Sequence, residues 1–88
     1  MIKSIYSIKD VKSGLFTGLM ASINDNTICR DAAILANDKN TVYGQYPGDF
    51  DLYCIGELND QTGDIKPDIR HVINLSSLVK VGDSDVRS

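Results

Sequence analysis

The chain has 88 residues, enough for a single domain with a thin core, so self-association into a homo-oligomer, most simply a dimer, is expected. Hydrophobic residues make up 42% and charged residues 24%, the balance of an ordinary globular domain, which excludes wholesale disorder. A net charge of −3 argues against a protein that coats nucleic acid by bulk electrostatics.

The first predicted element is a β-hairpin. Residues 2–9 are rich in β-branched and aromatic residues with strand periodicity, and residues 15–21 form a second strand or extended segment. Residues 10–14 between them have a turn composition. Gly14 is available there for a positive φ angle, which two closely connected strands often require.

One amphipathic helix follows the hairpin. Residues 24–27, Asn-Asp-Asn-Thr, are a cluster of helix N-cap candidates. Small or apolar residues then recur along one helical stripe: Ile28, Cys29, Ala32, Leu35 and Ala36. The polar residues 37–40 end the helix. The small side chains on the stripe allow it to pack closely against a sheet.

The second half is predicted to be another pair of strands after a loop at residues 41–50. Residues 51–58 give the strongest strand pattern, and residues 59–64 form a tight turn with Gly63 at the position that needs a positive φ. Ile65 and Lys66 begin a return strand, which the following Pro67 should keep short or at a sheet edge.

Residues 71–75 form a further candidate strand, and Leu78, Val79 and Val81 could add a last one. The order strand, strand, helix, strand, strand predicts an α+β fold, a small and mostly antiparallel sheet with one helix on one face. An open barrel of the oligonucleotide-binding type is the alternative. The domain is expected to span residues 1–81, followed by a flexible C-terminal tail at residues 82–88.

No constellation of residues predicts catalysis. His71 is the single histidine, and no nucleophile or carboxylate near it in sequence forms a recognised signature. Cys29 and Cys54 are expected to be free thiols. Asp60 and Asp64 belong to a polar turn that lacks the glycine and glutamate of a calcium loop. The chain is therefore predicted to be no enzyme and to need no metal or cofactor.

The apolar runs are too short for a membrane span, and the first residues lack the apolar stretch of a signal peptide. We therefore expect a protein that stays in the cytoplasm in which it is made and contacts no membrane.

Residues 46–63 carry a recognisable signature, Tyr-Pro-Gly-Asp-Phe-Asp-Leu-Tyr-Cys-Ile-Gly-Glu-Leu-Asn-Asp-Gln-Thr-Gly. It resembles the small nonstructural protein of gokushoviruses, single-stranded DNA phages of the Microviridae, whose pattern is approximately Pro-x-Asp-Tyr-x-Leu-Tyr-x-Ile-Gly-x-Phe-Asp-x-x-Thr-Gly. Leu58-Asn59 replaces the Phe-Asp of that pattern, and Arg30 in the helix is another departure. The resemblance covers nearly the whole chain, although only this central motif is specific.

The resemblance implies an accessory role in phage genome replication or its switch to packaging, in the cytoplasm of the bacterial host. The partner would be single-stranded DNA or the viral or host replication proteins. Cations and exposed rings are the side chains that hold single strands, so the candidate contacts are Lys3, Lys9, Lys12, Arg30, Lys39, Tyr43 and Tyr46. The alternative is an oligomerising protein-interaction module with no nucleic-acid contact, which the acidic composition favours.

Overall fold

The structure is a computed structural model that describes residues 1–80. Its strands are β1 (Ile2–Asp10), β2 (Leu15–Ser22), β3 (Phe50–Asn59) and β4 (Ile65–Asn74). The helices are α1 (Asp25–Ala36) and the short α2 (Val42–Gln45), and two 3-10 turns span Pro47–Asp49 and Leu75–Leu78.

The four strands form one antiparallel sheet in the order β2-β1-β3-β4. This confirms the predicted α+β fold with two hairpins on either side of one helix. The sheet is open, so β2 and β4 are edge strands, and the barrel alternative is not adopted. Val81 and the predicted tail at residues 82–88 lie outside the described residues.

The core lies between one face of the sheet and α1. Its largest fully buried side chains include Tyr6 from β1, Leu52 from β3 and Leu75 from the last 3-10 turn. From α1, the buried residues are Ile28, Ala32 and Ala36, spaced four apart on one stripe. The two alanines are the small side chains that the sequence predicted would let the helix pack closely on the sheet.

Both predicted hairpin turns are confirmed. Gly14 has φ 77° and donates its N–H to the Asp10 carbonyl at 2.7 Å. Gly63 has φ 81° and makes the same kind of bond to Asn59, also at 2.7 Å. Both glycines adopt the left-handed conformation that L side chains resist, and each turn therefore fixes the register of its strands.

Helix α1 begins where the N-cap cluster predicts. The Asn24 side chain accepts a hydrogen bond from the Thr27 N–H at 2.9 Å, which satisfies one of the free donors of the first turn. At the other end, the Asn37 side chain donates to Ala33 and Leu78 carbonyls at 2.7 and 2.9 Å. The helix end is thereby joined to the last 3-10 turn.

Residues 41–50 contain more regular structure than the predicted loop. The Thr41 hydroxyl accepts a hydrogen bond from the Gly44 N–H at 3.2 Å and so starts α2. Pro47 then opens a 3-10 turn, for which its fixed φ is suited. These local bonds turn an apparent loop into two short helical turns.

The return strand also differs from the sequence prediction. Residues 65–74 form one strand, β4, rather than the two short strands predicted on either side of Pro67. Pro67 is tolerated because β4 is an edge strand, as predicted, and because the pairing with β3 is irregular between Pro67 and Arg70. After it, Leu75–Leu78 is a 3-10 turn with Leu75 buried, so the predicted last strand does not form there.

None of the helices within residues 1–80 has the length and apolar character needed to cross a bilayer.

Candidate nucleic-acid interface

The sheet surface opposite α1 carries a row of aromatic and charged side chains. Strand register places Lys9 of β1 beside Phe16 of β2 and Asp51 of β3, and places Tyr53 of β3 beside His71 of β4. Side chains at paired positions lie on the same side of a sheet. We call the surface formed by these five residues the open face. Its members come from all four strands.

Three rings of the open face contact one another across the strands. The Phe16 and Tyr53 ring centroids are 5.3 Å apart with the planes at 73°, and those of Tyr53 and His71 are 5.3 Å apart at 89°. Phe16 and Tyr53 meet over β1, where the small residue Ser7 pairs with Tyr53. Ser7 is fully buried and its hydroxyl lies 2.7 Å from the Gly18 carbonyl, so it leaves room for the rings above it.

Lys9 places a positive charge beside the rings. Its Nζ is 5.7 Å from the Phe16 centroid and 5.9 Å from the Tyr53 centroid, within the range of a cation–π contact. Asp51, its neighbour in register, is engaged elsewhere: its Oδ1 lies 3.1 Å from His71 Nε2 and accepts a hydrogen bond from Asn74 at 2.9 Å. Among residues 1–80, Lys9 has no ion-pair partner.

The rings of the open face remain accessible to a ligand. Phe16 is 44% exposed and the His71 side chain 49% exposed, whereas Tyr53 is half-buried between them. Exposed rings can stack on planar groups, and the adjacent ammonium can contact an anion. Stacking and phosphate contact are the two interactions by which proteins hold single-stranded nucleic acid.

The seven residues predicted as nucleic-acid contacts do not converge on one surface. Lys9 lies on the open face. Lys3 is further along β1, where its Nζ is 3.6 Å from an Asp60 carboxylate oxygen. Lys12 is exposed in the first hairpin turn, and Arg30 is exposed on α1.

The other three predicted contacts surround α2. The Lys39 Nζ donates to the Gly44 carbonyl at 3.2 Å. The Tyr43 ring packs edge-on against the buried Phe50, with centroids 4.8 Å apart. Tyr46 is 59% exposed and free of such packing. Lys39, Tyr43 and Tyr46 thus form a local group apart from the open face.

The candidate contacts predicted from the sequence did not include Phe16, Tyr53 or His71. One signal was present, because a tight turn at residues 10–14 places Lys9 opposite Phe16 in the first hairpin. The position of Tyr53 beside Phe16 follows only from the pairing of β1 with β3, which are separated by about half the chain. The spacing of residues along the sequence does not indicate that β1 pairs with β3.

A second polar cluster lies on the α1 side of the sheet. The Tyr6 hydroxyl donates to Asp25 Oδ1 at 2.6 Å, and Arg70 donates to both Asp25 oxygens at 2.8 and 2.9 Å. The hydrogen bonds from Arg70 and then from Tyr6 lower the pKa of Asp25. Burial, followed by the bond to Asp25, raises the pKa of Tyr6 to about 12. The hydrogen-bonding groups of Tyr6, Asp25 and Arg70 are paired with one another, so the cluster is a structural link between β4, β1 and α1.

The sequence model of a protein family described as Phage ORF5 protein matches residues 3–78. The match spans the chain from β1 to the last 3-10 turn, and therefore includes the whole open face. No curated protein and no solved structure matches the chain.

Proposed function

The chain belongs to the Phage ORF5 protein family, and we propose that it is an accessory protein of a single-stranded DNA phage that binds single-stranded DNA through its open face. Its role would be in genome replication or the switch to packaging, in the cytoplasm of the bacterial host. The resemblance of residues 46–63 to the gokushovirus nonstructural protein supports this choice of phage.

One observation carries the proposal: Lys9, Phe16 and Tyr53 are clustered on a sheet face that α1 leaves uncovered. Phe16 and Tyr53 would stack on successive bases, and Lys9 would contact a phosphate between them. Four-stranded sheets with exposed rings use this mode of recognition for single strands. Because every base has a stacking face, the binding would depend little on sequence.

The charge of the chain limits the affinity. With a net charge of −3, long-range attraction to DNA is absent, so binding rests on stacking and on few phosphate contacts. We therefore expect dissociation constants of about 1–100 µM at moderate salt, the range of non-specific contacts.

We propose no catalytic role, because the open face offers stacking rings and one free ammonium but no activated nucleophile. Within residues 1–80 the His71 ring hydrogen-bonds to Asp51 at 3.1 Å and packs edge-on against Tyr53, and no serine, threonine or cysteine is hydrogen-bonded to it as a nucleophile would be. Cys29 and Cys54 lie on the α1 side, and burial together with the nearby Asp25 charge raises the pKa of the Cys29 thiol, which makes it a weaker nucleophile.

The second candidate is a protein-interaction module with no nucleic-acid contact, acting on viral or host replication proteins. The observation that favours it is the number of large apolar side chains left exposed, among them Leu15, Leu19, Ile34 and Ile69 at 66, 74, 68 and 66%. Only contiguous apolar surface is typical of interaction sites, and of these four residues Leu15 and Leu19 share one element, the edge strand β2.

Fluorescence polarisation with a labelled oligothymidylate separates the two candidates. At about 50 mM salt the wild-type chain should bind in the micromolar range. Tyr53→Ala should weaken binding roughly 5- to 100-fold, the effect of losing one base stack. Tyr46→Ala is the matched control, since Tyr46 is exposed but lies off the open face, and should leave the affinity unchanged.

Circular dichroism of each variant establishes that the fold is retained. An absence of polarisation change up to about 500 µM protein, above the range of about 1–100 µM for non-specific binding, would leave the interaction module as the function. Equal losses for Tyr46→Ala and Tyr53→Ala would remove the open face as the binding surface.

A further inference from the structure

The rings of the open face are steeply inclined to one another. The planes of Phe16 and Tyr53 meet at 73°, and those of Tyr53 and His71 meet at 89°. In each pair the ring centroids are 5.3 Å apart, so the two rings are in contact. A base that stacks on a ring lies parallel to that ring. Two bases held by neighbouring rings of the open face would therefore be inclined to each other by about the same angles.

Neighbouring bases of a nucleic acid favour the opposite arrangement. In a duplex, and in single strands of adenine, successive bases lie parallel and face to face, and this stacking stabilises the strand. Two bases inclined at 73° cannot stack on each other. A strand that crosses the Phe16 and Tyr53 rings must therefore give up the stacking of one base step.

We propose that the open face binds two neighbouring bases splayed apart, one on Phe16 and one on Tyr53, and so selects unstacked single strands over duplex DNA. This inference rests on the proposed function and adds the conformation of the bound strand. Runs of thymidylate, whose bases stack weakly on one another, would bind without an unstacking cost. Runs of adenylate would first have to unstack, which gives a modest preference without any readout of base edges.

The charges beside the rings support the choice of Phe16 and Tyr53. The Lys9 Nζ is 5.7 Å from the Phe16 centroid and 5.9 Å from the Tyr53 centroid, almost equally far from both. The phosphate between two splayed bases would therefore lie beside this ammonium. On the other side of Tyr53, the Asp51 carboxylate lies 3.1 Å from His71 and would repel a phosphate. The second base is thus held by Phe16 and not by His71.

The outer position of Phe16 leaves space for a base. Phe16 belongs to β2, which is an edge strand, so no further strand of residues 1–80 flanks it on the outer side. Its side chain is 44% exposed. The second base can therefore reach Phe16 from the edge of the sheet while the first base remains on Tyr53.

Circular dichroism can measure the conformation of the bound bases directly. The probe is a dinucleotide of 2-aminopurine, an adenine analogue that absorbs at longer wavelengths than protein, flanked by abasic nucleotides. Its one base step gives an exciton signal only while the two bases stack on each other. Saturation with the wild-type chain should abolish that signal. Phe16→Ala leaves one ring of the pair and should preserve the signal, whereas Tyr46→Ala, away from the open face, should abolish it as the wild type does.

The outcomes separate this inference from the proposed function. A bound dinucleotide that keeps the exciton signal of the free strand would overturn the splayed conformation and leave DNA binding in place. A DNA hairpin that displaces labelled oligothymidylate as well as an unlabelled single strand does would also overturn it. Absence of binding to every oligonucleotide would overturn the proposed function together with this inference.

The temperature dependence of binding provides a measurement that needs no variant. Heat unstacks oligoadenylate in the absence of protein, whereas the size of the adenine face does not change. The affinity for oligothymidylate relative to that for oligoadenylate should therefore fall on warming. A ratio that stays constant with temperature would overturn the proposal even if Phe16→Ala failed to fold.

Discussion

Arg70 of the edge strand β4 donates two parallel hydrogen bonds, 2.8 and 2.9 Å long, to the two carboxylate oxygens of Asp25, the first residue of α1. Asp25 also accepts a hydrogen bond from the hydroxyl of the buried Tyr6 at 2.6 Å. The carboxylate lies at the N-terminus of the helix, where the helix dipole favours negative charge. One side chain thus joins β1, β4 and α1 at the same point.

Asp25→Ala should lower the free energy of unfolding by about 1–2 kcal/mol, chiefly because it leaves the buried Tyr6 hydroxyl without its acceptor. The ion pair itself is half-exposed and contributes little. Urea denaturation followed by circular dichroism measures the change. Asp31→Ala, an exposed position in the middle of the same helix, should alter stability by less than about 0.5 kcal/mol. Equal effects of the two substitutions would contradict the structural role of Asp25.

The wild type should lose folding stability at alkaline pH, and Tyr6→Phe should remove that part of the pH dependence. The folded-state pKa of Tyr6 is raised from 10.0 to about 12, so the folded state holds this proton more tightly than the unfolded chain does. Its contribution is therefore complete below pH 10 and is lost as the pH rises through about 12, on the order of 1–3 kcal/mol. Denaturation midpoints of wild type and Tyr6→Phe should converge over this interval. Parallel curves would show that Tyr6 titrates equally in both states.

Gly63→Val should destabilise the second hairpin by about 1–3 kcal/mol, the usual scale of local backbone strain. No atom lies within 4 Å of the position of an added Cβ, so the cost would come from the φ of 81° alone. Gly48 is a matched control, because its surroundings are equally open and its φ is not positive. Gly48→Val should change the unfolding midpoint far less. An unchanged midpoint for Gly63→Val would disprove the strain.

Lys9→Gln should weaken oligothymidylate binding and also flatten its salt dependence. A phosphate contact with a single strand contributes a slope of about −0.7 in log affinity against log salt, and this substitution should remove one such contact. Tyr53→Ala should weaken binding and leave the slope unchanged, because stacking releases few counterions. Lys39→Gln serves as the control away from the open face. If Lys39→Gln flattened the salt dependence of binding and Lys9→Gln did not, the DNA would bind beside α2 and not on the open face.

The local elements of this protein could be predicted from sequence because local interactions specify them. The first hairpin, the Asn24 cap, the buried stripe of α1 and the Gly63 turn each depend on residues within a few positions of one another. The burial pattern of β3 likewise followed from its alternation. That the chain belongs to a phage protein family could also be predicted, since the signature at residues 46–63 lies within one strand and its flanking turns.

The features that could not be predicted from the sequence depend on pairing between strands that are distant in the chain. Pro67 predicted a strand that is either short or at the sheet edge, and only the order of the strands showed that β4 lies at the edge and continues through Pro67. The open face exists because β3 pairs with β1, which brings Tyr53 over Ser7 to Phe16, and because α1 covers only the opposite side. Asp25 and Arg70 are 45 positions apart and meet for the same reason. Contacts of this kind are set by the packing of whole elements, so the sequence specified the rings and charges while the tertiary structure decided which of them form a surface.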